Sequence, residues 1–233
     1  MSLRTVTAIT LIILPVLFNM SFGMLAASFD YPDVLRQPTV DVLRRFREGG
    51  SRLILTWWIF MLTAVAFAPV AVMAGIVQHR HSPTIATLAG VLGVLAGVVQ
   101  FLGLARWPFM VPYLARESAT ADPVRAQSID IVFQAFNRYL GVAVGEHLGY
   151  AFTGLWSIVL GAGIIGDGGV VSVLGGVGIA VGVALLLCSM EFVGANEENG
   201  WLLAGKITPV AYVVWSLWLV ALGVSVLSGT LWP

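Results

Sequence analysis

Apolar residues fall into six long runs separated by short polar breaks, and no strand-like alternation interrupts them. A hydrocarbon core of about 30 Å needs about 20 apolar residues at 1.5 Å of helical rise. The runs predict spans at about 5–28, 52–77, 84–105, 139–165, 170–194 and 209–229. A shorter helix is expected over 39–48. There the apolar positions share one side, Asp41/Arg45 and Arg44/Glu48 stand four apart, and Gly49-Gly50 stops the helix. This segment reads as a strip lying on the inner leaflet. After span 3, Pro108 and Pro112 should end the helix, with Trp107, Phe109 and Tyr113 in the interfacial aromatic belt. The fold class is therefore all-α, a polytopic transmembrane bundle of about six spans forming one integral membrane domain over 1–233.

Composition agrees. Of 233 residues, 58% are hydrophobic and 10% charged, and the mean hydropathy is +0.93, which excludes a soluble globular fold. Twelve basic residues balance twelve acidic ones, so no nucleic-acid partner is indicated. The first run could pass for a secretory signal ending near Met24-Leu25-Ala26-Ala27. That reading would send Arg36, Arg44, Arg45, Arg47 and Arg52 outside, against the positive-inside rule. Arg106, Arg116, Arg125, Arg138 and Lys206 fall on the same side, with only Arg4 and Arg80 opposite. Both termini are thus expected outside the cytoplasm.

Glycines 141, 145 and 149 recur every four residues on span 4 and predict close helix packing. Gly93/Gly97 and Gly178/Gly182 repeat the device, whereas Gly161 near the outer end is expected to be the looser position. Glu146 and His147 lie on the same span, about 12 Å into the bilayer from Arg138. A charge at such depth is costly and needs a partner or a wet cavity. Tyr150 and Thr153 fall on the Glu146 side at i+4 and i+7. Gln100, Arg106, Gln134, Arg138 and Glu191 gather in the same inner half, and Asn19 alone sits near mid-membrane elsewhere. Two readings stand side by side: a cavity opening inward, or an interhelical network in which Arg106 or Arg138 neutralises Glu146 or Glu191.

Several chemistries are disfavoured. Haem ligation by two histidines fails because His147 is the sole intramembrane histidine. The one lysine, Lys206, is at the mouth of span 6, not in mid-span as a retinal Schiff base requires. His79 and His81 make a two-ligand turn better read as exposed and polar than as a metal site. A single cysteine, Cys188, excludes an internal disulfide. No Gly-x-Ser-x-Gly or P-loop occurs, so no catalytic residue or metal site is assigned and no cofactor is identified. Trp57, Trp58, Trp156, Trp215 and Trp218 read as belt and packing residues.

The run from Leu102 through Arg106-Trp107-Pro108-Phe109-Met110-Val111-Pro112, the run Gly145-Glu146-His147-Leu148-Gly149-Tyr150 and the closing run Trp215 to Gly223 resemble an uncharacterised bacterial membrane family, the domain of unknown function numbered 4386. The resemblance implies a six-span protein of the bacterial inner membrane and carries no established activity. Three functions are ranked: a non-enzymatic bundle that binds a small lipophilic ligand or packs with membrane-complex subunits or further copies of itself; a proton-coupled transporter using Glu146; and a membrane enzyme using Glu146 and His147 as acid and base on lipid. The bilayer is the one partner common to all three.

Overall fold

The computed structural model describes residues 1–78, 82–166 and 168–232. The turn with His79, Arg80 and His81, read above as exposed and polar, lies outside the described residues, as does Asp167. The helices are α1 Leu3–Phe29, α2 Thr39–Gln78, α3 Pro83–Phe109, α4 Val111–Ser118, α5 Pro123–Phe136, α6 Gly149–Gly166, α7 Ser172–Cys188 and α8 Leu202–Ser228; a π-helical segment, Asn137–Leu148, joins α5 to α6. Five helical runs are long and apolar enough to cross a membrane, and α7 is a shorter apolar helix of 17 residues, spanning about 25 Å.

Each crossing helix packs on the next, α1 on α2, α2 on α3, α3 on α6, α6 on α7, α7 on α8, and α8 returns to α1. Six helices thus close a ring in chain order. Its axis is filled at one end by Trp156, whose ring meets Phe67, Trp215 and Trp218 edge to face at 4.9–6.3 Å. With Leu11, Leu160, Leu185 and Leu219 these form the larger of two apolar cores. Close approach is permitted by glycine: a Cβ on Gly161 would lie 2.6 Å from the Gly175 carbonyl oxygen, and one on Gly154 would lie 2.6 Å from that of Gly182. Gly161 is therefore as tightly packed as the glycines of the 141–149 face, contrary to its expected looseness.

The second core lies at the end that carries most of the arginines, here the basic end. Trp57 and Trp107 are both 0% exposed and stack at 4.4 Å and 8°. Phe29 and Phe46 flank Trp107 at 5.5 and 5.9 Å. Trp107 is thus a core residue instead of an interfacial one, while Phe109 and Tyr113 are exposed as expected. Of the other tryptophans, Trp58 alone faces outward, at 42% exposure.

Several boundaries differ from those expected. The 39–48 helix does form and does break, at Gly50 with φ 54° and ψ −152°, a conformation open to glycine alone. Its apolar face, Val42, Leu43 and Phe46, packs into the second core with α4 and α5 residues, so protein covers what the sequence assigned to lipid. Arg44 pairs with Asp41 at 2.9 Å, while Arg45 turns to Asp30 at 3.4 Å. α3 runs one residue past Pro108 and ends at Phe109, and Pro112 stands in the first turn of α4, in keeping with the prolines as helix stops. Span 4 begins much earlier than 139. Asp122 caps α5 by accepting from the Arg125 N–H at 2.9 Å, with Pro123 in the first turn. The helical run over 123–166 has 44 residues, about twice the length the hydrocarbon needs. Span 5 stops at Cys188, and span 6 begins at Leu202 with Lys206 inside it.

Candidate functional site

The π-helical segment places the site. Its hydrogen bonds run from i to i+5, so residues five apart stand nearly one above another, where an α-helix would turn them well apart. Gly141 and Glu146 therefore share a face. That face meets α3 in antiparallel register. A Cβ on Gly141 would lie 2.5 Å from an Arg106 terminal nitrogen, one on Gly145 would lie 3.1 Å from the Gly103 Cα, and one on Gly149 would lie 2.6 Å from the Gln100 Cγ. The glycine face expected from the sequence is thus the seat for three α3 residues.

Arg106 is 8% exposed and already engaged. It donates to the carbonyl of Gly103 and, at 3.0 Å, to Asn137 Oδ1, and its guanidinium lies 5.3 Å from the Trp107 ring centroid. Gln100 donates to Thr153 Oγ1 at 3.1 Å and to the Ala96 carbonyl at 3.2 Å. Below it Ser157 accepts from Trp215 Nε1 at 3.0 Å. These groups form a polar wall, in which two of the five Arg106 N–H donors have protein acceptors.

Glu146 is different. It is half-buried, and among the described residues no cation lies within 4 Å of its carboxylate and no group hydrogen-bonds to it. The charges that reach it are Arg106, Glu191 and Arg36. Its own charge acts on the phenols of Tyr31, Tyr150 and Tyr212, which come from the loop after α1, from α6 and from α8. The Tyr212 hydroxyl is buried, with the Thr153 side chain as its neighbouring hydrogen-bonding group. Aromatic rings join these phenols into a continuous lining: Tyr150 and Tyr212 at 5.3 Å, Phe18 and Tyr212 at 5.9 Å, Phe18 and Phe60 at 4.9 Å, Tyr31 and Phe60 at 6.5 Å, Tyr31 and Trp57 at 5.0 Å. The Glu146 carboxylate therefore has no direct partner in the protein, although the charge of Arg106 acts on it, and a layer of phenols and phenyl rings links the two apolar cores.

The other sequence candidates are distributed around this layer. His147, one residue on, points away: its Nδ1 lies 2.7 Å from the Ser189 carbonyl oxygen, to which it donates. Arg138 pairs with Glu197 at the exposed surface. Neither it nor Arg106 comes within 4 Å of the Glu146 or Glu191 carboxylate, while the charge of Arg106 still acts on Glu146. Glu191, beyond the end of α7, lies with the Arg36 guanidinium against Gly205. Burial pushes its carboxyl above the ordinary range, with Arg36 acting in the opposite sense. Burial, and next the charge of Glu146, likewise raises the Tyr31 phenol, which lies outside the spans. Gln134 donates to Thr39 Oγ1 at 3.0 Å, and Asn19 donates to Ser216 Oγ at 2.9 Å; both tie helices together away from the layer. Tyr31, Tyr212 and Asn137 were missed from the sequence. A tyrosine within an apolar run, as at 212, is the signal that could have found one of them.

With this geometry in place, comparison with known proteins adds the family. The model of the domain of unknown function DUF4386 matches residues 6–223. The chain belongs to that family. No curated protein and no solved structure matches it. The match spans every crossing helix and thus all residues of the layer in this DUF4386 chain. Among the described residues no three His, Cys, Asp or Glu side chains gather as a metal set.

Proposed function

We propose that this membrane bundle is non-enzymatic and binds a small lipophilic or amphiphilic molecule, with the polar part of the ligand in the layer between the two cores. The observation that carries the reading is the carboxylate of Glu146. An ionised group without a partner costs several kcal/mol in an apolar interior, and a bound ligand would supply what the protein does not. Tyr31, Tyr150 and Tyr212 offer hydroxyls beside it. The same chain would sit in the bacterial inner membrane with its basic end in the cytoplasm, a placement supported by ten basic residues against Arg4 and Arg80. Packing as an accessory subunit of a larger membrane complex is compatible with this use.

Proton-coupled transport through Glu146 is the second reading, favoured by the same lone carboxylate. The lipid-enzyme reading loses support, since the His147 ring is held by Ser189 and does not face Glu146 as an acid and base pair would. Native mass spectrometry in mild detergent tests the ligand reading. Wild type should retain a mass beyond the chain, and Glu146→Gln should lose it. Equal spectra for the two proteins would remove Glu146 from any ligand-binding role, and proton uptake by proteoliposomes, lost in Glu146→Gln, would then favour the second reading.

A further inference from the structure

We propose that a cavity between the basic end of α1 and the Gly50 kink of α2 holds the headgroup of a bilayer phospholipid, one whose head pairs a phosphate with a primary ammonium. No residue of the Glu146 layer lines this cavity, so the site is separate from the ligand reading above.

The cavity measures about 440 Å³, and its walls include Ala27, Ser28, Asp30, Arg45, Glu48 and Gly49. Its depth is that of a headgroup. α1 has 27 residues from Leu3 to Phe29, about 40 Å of helix, so a hydrocarbon core of about 30 Å entered just after Arg4 leaves Ala27 and Ser28 beyond its far boundary. The kink at Gly50 marks the same boundary on α2. On the bilayer side of it, Met20 and Met24 of α1 and Leu55 and Trp58 of α2 are exposed, which offers apolar surface to acyl chains.

The cavity offers groups for both charges of such a head. Arg45 gives one long hydrogen bond, Nη1 to Asp30 Oδ2 at 3.4 Å, and among the described residues its other N–H donors have no acceptor, which leaves them for a phosphate. Glu48 is equally loosely held: Arg44 lies 4.0 Å from it and pairs more closely with Asp41, at 2.9 Å. The end of α1 adds carbonyls. The N–H groups of Asp30 and Tyr31 turn back to Ala26 and Leu25, and Pro32, four residues after Ser28, has no N–H to give. The carbonyls of Ala27 and Ser28 are therefore without a backbone donor among the described residues, at the negative end of the helix dipole. A primary ammonium carries three N–H donors for these carbonyls and for the Asp30 and Glu48 carboxylates. A quaternary head has no such donors and is held by aromatic faces, whereas the ring that lines this cavity, Phe29, is only 2% exposed. An anionic head would meet two carboxylates against one arginine.

The test is native mass spectrometry of the delipidated full chain in a neutral detergent, with phosphatidylethanolamine, phosphatidylcholine and phosphatidylglycerol of identical acyl chains added in equal amounts. Wild type should retain the ethanolamine lipid about fivefold or more above the other two. Arg45→Gln and Glu48→Gln should each lower that retention about fivefold, while Arg52→Gln, two residues past the kink and outside the cavity, should leave it within about twofold. The Arg45 and Glu48 side chains are exposed, so both variants should melt near wild type; if one does not, the other decides. Glu146→Gln should keep the phospholipid, which separates this outcome from that of the Glu146 layer. Equimolar free phosphoethanolamine should not displace the lipid. Displacement would overturn the bilayer source and assign the cavity to a soluble zwitterion. Preference for the glycerol head, equal retention of the choline head, or retention unchanged in Arg45→Gln and Glu48→Gln would each overturn the proposal.

Discussion

Gly103 of α3 and Gly145 of the π-helical segment meet backbone to backbone: a Cβ added to Gly103 would lie 2.5 Å from the Gly145 Cα and 2.8 Å from the Leu140 carbonyl oxygen. Neither obstacle is a flexible side chain, so the helices themselves must part. Without a hydrophobic drive between membrane helices, such contact is what holds them together. It also sets how near Arg106 and Glu146 stand within the same interface.

Gly103→Ala should therefore lower the melting temperature in detergent, by an amount equivalent to roughly 1–3 kcal/mol of overpacking. Gly90→Ala, on the same helix but with nothing within 4 Å of its added Cβ, should cause no loss. Similar melting temperatures for the two variants would deny the close contact.

Removing Glu146 should cost little stability, because no ion pair within 4 Å is lost. Arg106→Gln should cost far more. It breaks the bonds to Gly103 and Asn137, each worth roughly 1.5–3 kcal/mol where one partner is charged. Thermal melts of the two variants side by side check this ordering. A fall for Glu146→Gln as large as that for Arg106→Gln would make the carboxylate a structural member of the bundle.

Glu191 gives a pH dependence of defined sign. Its carboxyl is raised above the ordinary range by burial, so the folded protein disfavours the ionised form. The stability it contributes is present below the unfolded value, about 4.3, and is lost as pH rises through the folded one. Glu191→Gln should therefore melt higher than wild type at pH 8, and the difference should close as pH falls toward about 4. A gap that widens on acidification would mean that Arg36 outweighs burial.

The proposed orientation is checked by thiol labelling. In a Cys188→Ala background, which removes a buried free cysteine, Thr230→Cys should react with a membrane-impermeant reagent on whole cells. Thr120→Cys, between α4 and α5, should react after permeabilisation alone. The reverse pattern would invert the topology and place the basic end outside.

What the sequence by itself determined is local in origin. Hydropathy summed over about 20 residues located the crossing helices, because each helix satisfies its own backbone in lipid regardless of its neighbours. The spacing of Gly141, Gly145 and Gly149 foretold a packed face, and the depth of Glu146 in span 4 marked it as a residue in need of explanation. The tertiary structure decided the relations among helices. Arg106 went to Asn137 instead of Glu146, and His147 turned to the Ser189 carbonyl. Tyr31 and Tyr212, 181 positions apart, came under the charge of one carboxylate. Trp107 left the expected interface to stack on Trp57. Each outcome depends on which helix faces which and on the π-helical turn that carries Glu146 round to the Gly141 face. Hydrophobic pattern is blind to both, since within lipid almost every face of a helix is apolar, and choice of neighbour is set by close packing and by the few polar groups that find one another.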